Sequence, residues 1–562
     1  MSHGTYLPVL DQNHLKTVSR AIKHDRPLEE VAAELEFSSV RDLLTATANA
    51  LGIELVDLEK VEVDESLLQD FPIKLIHRFE LFPLSRSANV MTVAVSNPFD
   101  VLSIDTVAAA TRTMIVPVLA SADQLRKLIT SHLGVGAETV DGLVAQHAGD
   151  ESELLKSLDG QDLENAELAQ QASVVRLVNE ILIEAIKVGA SDIHVEARER
   201  GLKLRYRIDG VLQKQATARE MNQFRTAIVT RLKIMAKLNI AEKRVPQDGR
   251  IQVRAKGREV DIRVSMIPTL HGESVVMRVL DKNNLTFTLS GVGMCDDNYA
   301  RFKRLIRLPH GIILVTGPTG SGKTTTLYSA LAEIKTEENK IITTEDPIEY
   351  QLDGINQIQV NSKVGLTFSS SLRSILRHDP DIVLVGEIRD LETAENATQA
   401  SLTGHLVFST LHTNDAASAF MRLCDMGVEP FLVSSTVQGV MAQRLVRRVC
   451  QDCCEPDIRS RADTPEDFPW DQMVQRSRVF RQVGCPNCRG TGYKGRLGLF
   501  ELLEANEEIR DLATRRVPSG QIVSAARRAG MTTLREDGWK KVLAGDTTVD
   551  EVLRVTTADE SR

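Results

Sequence analysis

Four apolar runs in the second half of the chain each end in polar residues, and helical patterns separate them. Each run has the length of a buried strand. The alternation predicts an α/β fold, with a parallel sheet and helices on both faces. Ligands of such sheets bind beyond the carboxyl ends of the strands, so the polar residues there should converge on one ligand. The runs are Ile312–Val315, 341–349, 382–390 and 405–412, and the converging residues are Glu345, Asp346, Glu387 and His412.

The first half of the chain mixes helical and strand patterns. Apolar residues at helical spacing predict a helix over Val40–Leu51, and "NVMTVAVSNP" predicts a strand that ends in a turn. A second amphipathic helix is predicted in "SVVRLVNEILIEAIKVGA", where Gly189 suits the helix end. These patterns predict a small mixed domain followed by a helix that opens a second domain.

Alternating strands follow that second helix. In "LKLRYRIDGVL" the apolar residues lie on one face, and Arg205 and Arg207 lie on the other. The pair Asp209-Gly210 is a strong hairpin signal. The stretch "QDGRIQVRAKGREVDIRVS" repeats the alternation, with Arg263 in a strand. We therefore predict an α+β domain that ends near Leu280.

Length and composition set further bounds. A chain of 562 residues is too long for one hydrophobic core and implies about three to four domains. No apolar run approaches the roughly 18 residues that span a bilayer, and the N-terminus lacks the basic-then-apolar pattern of a secretory signal. We therefore expect a cytoplasmic protein. Its net charge of −9 gives no electrostatic basis for binding nucleic acid.

An acidic stretch separates the two halves. Between Glu138 and Glu167 there are nine acidic residues against one lysine, which indicates a solvated linker or at most a loosely held helix. The predicted division is a first N-terminal domain at 1–136, the linker at 137–170, a second N-terminal domain at 171–284, and a C-terminal domain at 285–562 that includes a cysteine-bearing subdomain at about 446–498 and C-terminal helices at about 500–560.

The stretch "GIILVTGPTGSGKTTT" has the full phosphate-loop pattern between a strand and the helical run "TTTLYSALAEI". Its glycines let backbone N–H groups wrap phosphates, and the helix N-terminus adds partial positive charge. Lys323 would bridge the β- and γ-phosphates of ATP, and the Thr324 hydroxyl would bind Mg²⁺. The alternative is a glycine-rich turn with a chance lysine. The predicted nucleotide-binding residues are Gly317, Pro318, Thr319, Gly320, Ser321, Gly322, Lys323, Thr324 and Thr325.

The strand in "DPDIVLVGEIRD" delivers a glutamate where an ordinary phosphate-loop enzyme has a metal-binding aspartate. The extra methylene of Glu387 suits it to orient the attacking water. Mg²⁺ would then rest on Thr324, water and Glu345. The alternative is a carboxylate that only favours the dipole of the next helix.

Two histidines bracket the last of the four strands. Their position predicts sensing of the γ-phosphate, although a lone histidine there is often structural. Arg377 and Arg389 are interpreted equally well as surface ion pairs. The predicted catalytic residues are Lys323, Glu345, Glu387, His405 and His412.

Two close cysteine pairs lie near the C-terminal end. Cys450-x2-Cys453 and Cys485-x2-Cys488 can supply a tetrahedral thiolate shell for structural Zn²⁺. The 31 residues between the pairs exceed the usual spacing, and Cys454 competes with Cys453 as a ligand. The alternative is a set of unrelated buried thiols.

These motifs together resemble the secretion-superfamily ATPases of type II secretion and type IV pilus assembly, over about residues 170 to 515. "GPTGSGKTTTLYSAL" resembles the Walker A motif of that family, "TTEDPIEY" its aspartate box, "LRSILRHDPDIVLVGEIRD" its Walker B motif and "TGHLVFSTLHTNDA" its histidine box. In the second N-terminal domain, "ASDIHVE", "LRYRIDG", "PQDGRI" and "IPTLHGESVVMRVL" are similar to family motifs.

The resemblance implies a RecA-like ATPase domain with a zinc subdomain, preceded by a PAS-like α+β domain and a smaller α+β domain. It implies a homohexamer that binds ATP between the two main domains, with arginines of the second N-terminal domain closing on the phosphates. It also supports the zinc site. The matching arginines are Arg205, Arg207, Arg263 and Arg278.

In this family the first N-terminal domain docks onto a membrane-anchored partner or binds cyclic di-GMP. The arginine-leucine-glycine opening of the cyclic di-GMP repeats is absent from "LPVLDQNHLKTVSRAIKHDRPL", so we expect no such binding. Docking to a membrane-anchored adaptor, next to an inner-membrane platform protein, is the expectation by analogy.

The favoured hypothesis is a hexameric motor ATPase that powers type II secretion. Type IV pilus assembly by the same chemistry is the closest alternative. A nucleic-acid translocase is disfavoured by the acidic balance and by only 4% aromatic residues. A nucleotide-binding scaffold without turnover is disfavoured by the intact set of Lys323, Thr324, Glu345 and Glu387.

Overall fold

The protein is described by a computed structural model, which covers residues 10–23, 26–61, 63–64, 66–133, 160–217, 219–255, 258–281, 288–472 and 479–557. Its contacts divide the chain into two compact units, Met1–Asp281 and Lys282–Arg562. Among the helices in these ranges, none combines the length and the apolar character that crossing a bilayer requires. Most of the predicted acidic linker lies outside the described residues.

The first part of the N-terminal unit is a small α/β assembly. Strand β1 (Leu81–Ser87) pairs antiparallel with β2 (Val90–Val95), which pairs parallel with β3 (Met114–Leu119). The predicted helix Val40–Leu51 is confirmed at both ends, because the Ser39 hydroxyl caps its start and Gly52 takes a positive φ of 67° at its end. The helices are Gln12–Lys23, Leu28–Glu34, Val40–Leu51, Leu67–Asp70, Ile73–Phe79, Val101–Thr111 and Ala122–Leu133.

The second part of that unit is an antiparallel sheet with two helices. The long helix begins at Gly160, so residues 160–170 take the helical alternative of the predicted linker. Gly189, with φ of 70°, ends this helix region as predicted. The sheet order is β6-β5-β4-β9-β8-β7. The elements are the helices Gly160–Lys187 and Arg225–Met235 and the strands β4 (Asp192–Arg198), β5 (Gly201–Ile208), β6 (Val211–Lys214), β7 (Gln247–Ala255), β8 (Arg258–Thr269) and β9 (Gly272–Asp281).

Apolar and charged residues alternate along β5, so one face of this sheet is buried and the other is polar. Leu204 and Tyr206 are fully buried under the long helix, and the Tyr206 hydroxyl donates to the carbonyl of Ile181 at 2.8 Å. The charged residues of the same strand therefore lie on the opposite face. Asp209 and Gly210 both take positive φ, 49° and 84°, and form the predicted hairpin turn.

The C-terminal unit is built on a seven-stranded sheet of order β12-β11-β13-β14-β10-β15-β18. All four predicted strands are present and parallel, as predicted. The sheet is mixed, because one edge adds an antiparallel strand that was not predicted. There β15 runs parallel to β10, and the long strand β18 returns antiparallel beside it. The strands are β10 (Gly311–Thr316), β11 (Ile341–Glu345), β12 (Asn356–Gln359), β13 (Ile382–Val385), β14 (Leu406–Leu411), β15 (Val437–Val449) and β18 (Tyr493–Glu504).

Helices cover both faces of this sheet, as predicted. Ile313 and Val315 of β10 pack with Tyr328 and Leu331 on one face, whereas Ile312 and Leu314 pack into a separate core on the other face. Burial on both sides explains why these strands read as continuous apolar runs. The helices of the unit are Asp296–Leu305, Lys323–Ile334, Phe368–Ile375, Leu391–Leu402, Ser418–Asp425, Pro430–Thr436, Glu507–Thr514, Ser519–Arg528, Leu534–Leu543 and Val549–Val555.

Candidate nucleotide site

The carboxyl ends of the parallel strands bring the predicted residues to one edge of the sheet. Thr316 of β10 lies opposite Leu411 of β14, and Val385 of β13 lies opposite Ser409. The residues that follow these strand ends are the phosphate loop, Glu387 and His412. The predicted convergence is therefore present, since all three segments leave the sheet on the same side.

Three glycines shape the phosphate loop. Gly317, Gly320 and Gly322 take positive φ values of 144°, 80° and 88°. A Cβ on Gly317 would lie 2.5 Å from the carbonyl oxygen of Gln443, and one on Gly322 would lie 2.8 Å from the Gln443 side-chain nitrogen. Glycine is thus required at both positions by backbone conformation and by space.

The Lys323 ammonium lies in the middle of this loop. Its Nζ donates to the carbonyls of Gly317 at 2.8 Å and Pro318 at 3.1 Å. Burial lowers the pKa of Lys323, Glu387 opposes that effect, and the nearby charge of Arg444 adds to it. Lys323 follows β10 and Glu387 follows β13, and both strands pair with β14, so the two residues belong to the same edge of the sheet.

Glu387 projects from the end of β13 between two partners. Its Oε2 lies 3.2 Å from His412 Nε2, and its Oε1 pairs with the Arg389 guanidinium. The Glu387 side chain is 14% exposed, whereas those of Arg389 and His412 are more than half exposed. The hydrogen bond and ion pair to Glu387 raise the pKa of Arg389. Arg389 is thus an ion-pair residue, and its partner is the candidate catalytic carboxylate.

Glu345 reaches the same edge, but its carboxylate is buried and already hydrogen bonded. Its Oε1 accepts from the Thr343 hydroxyl at 2.6 Å and from Gln357 Nε2 at 3.2 Å, and its Oε2 accepts from the Tyr328 hydroxyl. Burial, with the charge of Glu345, raises the pKa of Tyr328. The carboxylate is therefore turned into the protein in this conformation.

His405 is not brought to this edge. It precedes β14, whereas His412 follows it, and the six residues between them span about 20 Å. The His405 Nδ1 lies 2.9 Å from the carbonyl oxygen of Ala400 and 3.1 Å from the Thr403 hydroxyl. The histidine thus belongs to the turn at the opposite end of the strand.

Sequence reasoning missed two residues of β15 beside the phosphate loop. Gln443 accepts a hydrogen bond from the Thr326 hydroxyl at 2.8 Å and is 1% exposed, so it fixes the loop to the helix that follows it. Arg444 donates to the side chain of Asn414 at 3.0 Å. Both follow the mostly apolar run "VQGVMA", but they lie within β15 and not at its end, so the rule applied to the other strands does not place them beside the loop.

The four candidate arginines lie on the polar face of the antiparallel sheet. Arg263 lies opposite Arg278, and Arg278 and Arg207 both lie opposite Asp192. Arg205 is two residues from Arg207 on the same strand and therefore shares its face. The structure thus gathers these arginines on one surface of the N-terminal unit.

The four predicted cysteines form one cluster. The sulfurs of Cys450, Cys453, Cys485 and Cys488 all lie within 4.8 Å of one another. The Cys450–Cys485 and Cys453–Cys488 separations are 3.9 and 3.8 Å, close to the spacing of about 3.8 Å that tetrahedral Zn–S bonds of about 2.3 Å produce. The adjacent Cys454 lies outside the cluster, and its sulfur faces the carbonyl oxygen of Gln451.

Backbone N–H groups are aimed at one of these sulfurs. The N–H groups of Cys485 and Gly492 donate to Cys488 Sγ at 3.0 and 3.1 Å. Burial raises the pKa of Cys488, but these donors outweigh it and lower that pKa to about 7. In Cys453 burial prevails and raises the pKa to about 12. The donor set fits a thiolate-binding metal such as Zn²⁺.

The residues between the two cysteine pairs are anchored to the C-terminal helices. Strands β16 (Glu455–Pro456) and β17 (Phe480–Arg481) pair antiparallel and bring the cysteine pairs together. Asp467 accepts hydrogen bonds from Arg535 and from Trp539 Nε1. The described residues of this long gap, 454–472 and 479–484, thus include a short strand pair and a segment that packs on the C-terminal helices.

The comparisons with known proteins agree with this geometry. Residues 167–554 match the family model described as "Type II/IV secretion system protein", and residues 51–139 match the "MshEN domain" model. The first match covers most of the chain and includes the phosphate loop, Glu387 and the cysteine cluster.

Three relatives were compared over most of their length. The chain is 44% identical to type II secretion system protein E of Xanthomonas campestris pv. campestris over 524 residues, 92% of this chain and 91% of that protein. It is 50% identical to type II secretion system ATPase E of Vibrio cholerae, with 75% and 81% covered. It is 40% identical to the type IV pilus assembly ATPase PilB of Myxococcus xanthus, with 93% and 92% covered. The chain therefore belongs to the type II/IV secretion system protein family, and it is an ATP-hydrolysing enzyme.

Proposed function

We propose that this enzyme is the hexameric motor that powers protein secretion through a type II secretion system by driving assembly of a pseudopilus. The observation that carries the proposal is the common edge of the sheet at which β10 and β13 end, since Lys323 follows one strand and Glu387 the other. Higher identity to type II proteins than to the pilus ATPase favours secretion over type IV pilus assembly, the second candidate.

In the proposed mechanism the Lys323 ammonium exchanges its bonds to the Gly317 and Pro318 carbonyls for the β- and γ-phosphates. The Thr324 hydroxyl would hold Mg²⁺, which neutralises charge that develops on the phosphates. Backbone N–H groups of the loop, at the N-terminus of the helix Lys323–Ile334, complete the anion site.

Glu387 is proposed to orient the attacking water. Its bonds to His412 and Arg389 hold the carboxylate at the strand end, where it is only 14% exposed. His412 is proposed to respond to the γ-phosphate through this contact. His405 is proposed to take no part in hydrolysis, because it precedes β14 and lies at the opposite end of that strand from His412.

Glu345 is proposed to support this centre in a second conformation. Its three present donors would have to release the carboxylate before it could bind Mg²⁺ or water. In the described conformation it fixes the ends of β11 and β12 beside Glu387.

The cysteine cluster is proposed to hold one structural Zn²⁺ through Cys450, Cys453, Cys485 and Cys488. The metal would cross-link the strand β15, which borders the phosphate loop, to the long β18 that returns beside it. A structural ion of this kind stabilises the subdomain and takes no part in hydrolysis.

Arginines of the second N-terminal domain are proposed to contribute to the phosphate site of the assembled ring, because guanidinium groups neutralise charge in phosphoryl transfer. The first N-terminal domain is proposed to bind a membrane-anchored adaptor, next to an inner-membrane platform protein. The protein would then be cytoplasmic and peripheral to the inner membrane through these partners.

The test is a phosphate-release assay on the full chain. Lys323→Ala is expected to lower ATP turnover at least 100-fold, whereas Lys363→Ala, an exposed lysine of the same unit, should leave it unchanged. Restoration of secretion, and not of pili, in strains that lack either ATPase would support type II function. Undiminished turnover in Lys323→Ala would exclude the proposed site.

A further inference from the structure

Asp192 occupies a central position on the arginine-bearing face of the antiparallel sheet. It begins β4, and it lies directly opposite Arg207 of β5 on one side and Arg278 of β9 on the other. Adjacent strands are about 4.8 Å apart, so one carboxylate stands between two guanidinium groups. No other arrangement in the described sheet flanks an acid with arginines on both neighbouring strands.

The geometry of the contacts is specific. Asp192 Oδ1 accepts from Nε of Arg278 at 3.2 Å, and Oδ2 lies 3.4 Å from Nε of Arg207. Arg207 is also fixed by its Nη1, which donates to the carbonyl of Gly210 at 3.0 Å. Within the described residues, no hydrogen bond engages either terminal nitrogen of Arg278 or Nη2 of Arg207. These nitrogens are therefore donors that a ligand could use.

Asp192 is much more buried than the two arginines that it contacts. The Asp192 side chain is 12% exposed, against 35% for Arg207 and 51% for Arg278. The hydroxyl of Ser191 donates to Asp192 Oδ2 at 2.9 Å and fixes the carboxylate further. Glu196 lies two positions further along the same face of β4, beyond His194, and is also 12% exposed. It accepts from Nε of Arg205 at 3.1 Å and also from Nη2 of Arg205, and its other oxygen accepts from Arg198 of its own strand.

We propose that Asp192 is a positioning residue, which holds Arg207 and Arg278 side by side so that their free guanidinium nitrogens bind one phosphoryl group of the nucleotide. Glu196 holds Arg205 through Nε and Nη2, which leaves Nη1 of Arg205 as its available donor within the described residues. This inference rests on the proposed function, in which these arginines contribute to the phosphate site. It adds the reason for their orientation, which is their pairing with the carboxylates. The ligand that this face fits is a tetrahedral phosphate dianion.

The physical basis is preorganisation. An arginine side chain loses much rotamer freedom when it is fixed, and here a nearly buried carboxylate fixes it before the phosphate arrives. Fork donors that are already aligned act on charge as it develops in the transition state. Loss of the anchor should therefore affect turnover more than ground-state binding. A competing role, in which Asp192 neutralises the arginines and restrains the enzyme, predicts the opposite sign.

The test compares Asp192→Asn with Glu259→Gln in the full chain. Glu259 pairs with Arg254 across β7 and β8 of the same sheet, and both side chains are more than 70% exposed, so this variant is a matched control. We expect kcat to fall at least tenfold in Asp192→Asn, while the Kd of a non-hydrolysable ATP analogue changes less than threefold. Glu259→Gln should match the unaltered protein.

A second measurement separates positioning from folding. In an Arg207→Ala/Arg278→Ala background, Asp192→Asn should lower kcat no further, because its effect acts through those arginines. If Asp192→Asn does not fold, Asp192→Glu moves the anchor by one methylene and should show the same loss of kcat with an unchanged Tm.

Unchanged or raised kcat in the folded Asp192 variants, or a full additional loss in the double-alanine background, would overturn the inference. Failure of the proposed function has a different signature, because Lys323→Ala would then retain turnover.

Discussion

The two sheets of this protein gather functional side chains in different ways. The seven-stranded sheet collects them at its edge, where parallel strands end together and deliver the phosphate loop, Glu387 and His412. The antiparallel sheet collects its arginines on one face, because residues two apart on a strand and opposite each other on neighbours share that face. The residues at an edge are therefore determined by where the strands end. The residues on a face are determined by the alternation of side chains along each strand.

The difference extends to what holds each site in place. At the edge, the loop is fixed by glycine conformations and by close backbone contact with Gln443. On the face, the arginines are fixed by side-chain pairs to Asp192 and Glu196. We therefore expect the edge to respond strongly to changes in shape and the face to respond to changes in charge.

The largest effect is expected for Glu387→Gln. The amide keeps the shape of the side chain but loses its charge, so water is no longer oriented by a carboxylate. We expect kcat to fall about 10²- to 10³-fold with nucleotide affinity within threefold of the unaltered protein. Single-turnover hydrolysis and analogue binding measure the two quantities. Glu395→Gln, an exposed glutamate of the helix Leu391–Leu402, is the control, and undiminished turnover in Glu387→Gln would remove its assigned role.

A smaller but still large effect is expected for Gly317→Ala. The new Cβ would lie 2.5 Å from the Gln443 carbonyl oxygen, so the loop must shift, and we expect ATP affinity to fall at least tenfold. Gly320 also has a positive φ, 80° against 144° for Gly317, but no atom lies within 4 Å of its Cβ, so Gly320→Ala should cost only about 1–2 kcal/mol of backbone strain. Equal losses of affinity in both variants would show that strain alone, and not contact with β15, shapes the edge.

Metal binding by the cysteine cluster should depend on the positions of its sulfurs, just as nucleotide binding at the sheet edge depends on the shape of the loop. Cys453→Ser is expected to lose bound zinc and to lower Tm by several degrees, because a structural metal contributes to folding. Cys454→Ser should change neither, since its sulfur faces the Gln451 carbonyl and not the cluster. Metal content by atomic absorption and thermal unfolding provide the readout. Zinc retained in Cys453→Ser but lost in Cys454→Ser would reverse the ligand assignment.

The smallest effect is expected on the arginine-bearing face of the antiparallel sheet, as a change in how Tm depends on pH. Burial raises the pKa of Glu196, but its bonds to Arg205 and Arg198 outweigh it, so the pKa lies below its ordinary value of 4.5. The folded state is therefore stabilised above pH 4.5, and this contribution is lost as pH falls through the lowered pKa. Glu196→Gln should flatten the fall of Tm between about pH 5 and pH 3. An unaltered slope, like that expected for Glu259→Gln, would show that these pairs do not stabilise the face.

Local patterns predicted much of the fold. The helix Val40–Leu51 and the strand Ile382–Val385 have the predicted ends, because their caps and apolar runs are encoded within a few residues. The hairpin at Asp209-Gly210 is equally local. The antiparallel return of β18 beside β15 could not be read in this way, since strand pairing across the cysteine insertion depends on contacts that are distant in sequence.

The sequence by itself determined which chemical groups this protein has: a phosphate loop, a glutamate at a strand end, two cysteine pairs and arginines on one strand face. Their spacing carries this information because each motif is short and its geometry is local. The tertiary structure alone decided which groups meet. It separated His405 from the edge, buried Glu345 against Tyr328, brought the sulfur of Cys453 and not that of Cys454 into the cluster, and placed Gln443 against the loop. Such meetings depend on the packing of residues far apart in the chain, which no local pattern encodes.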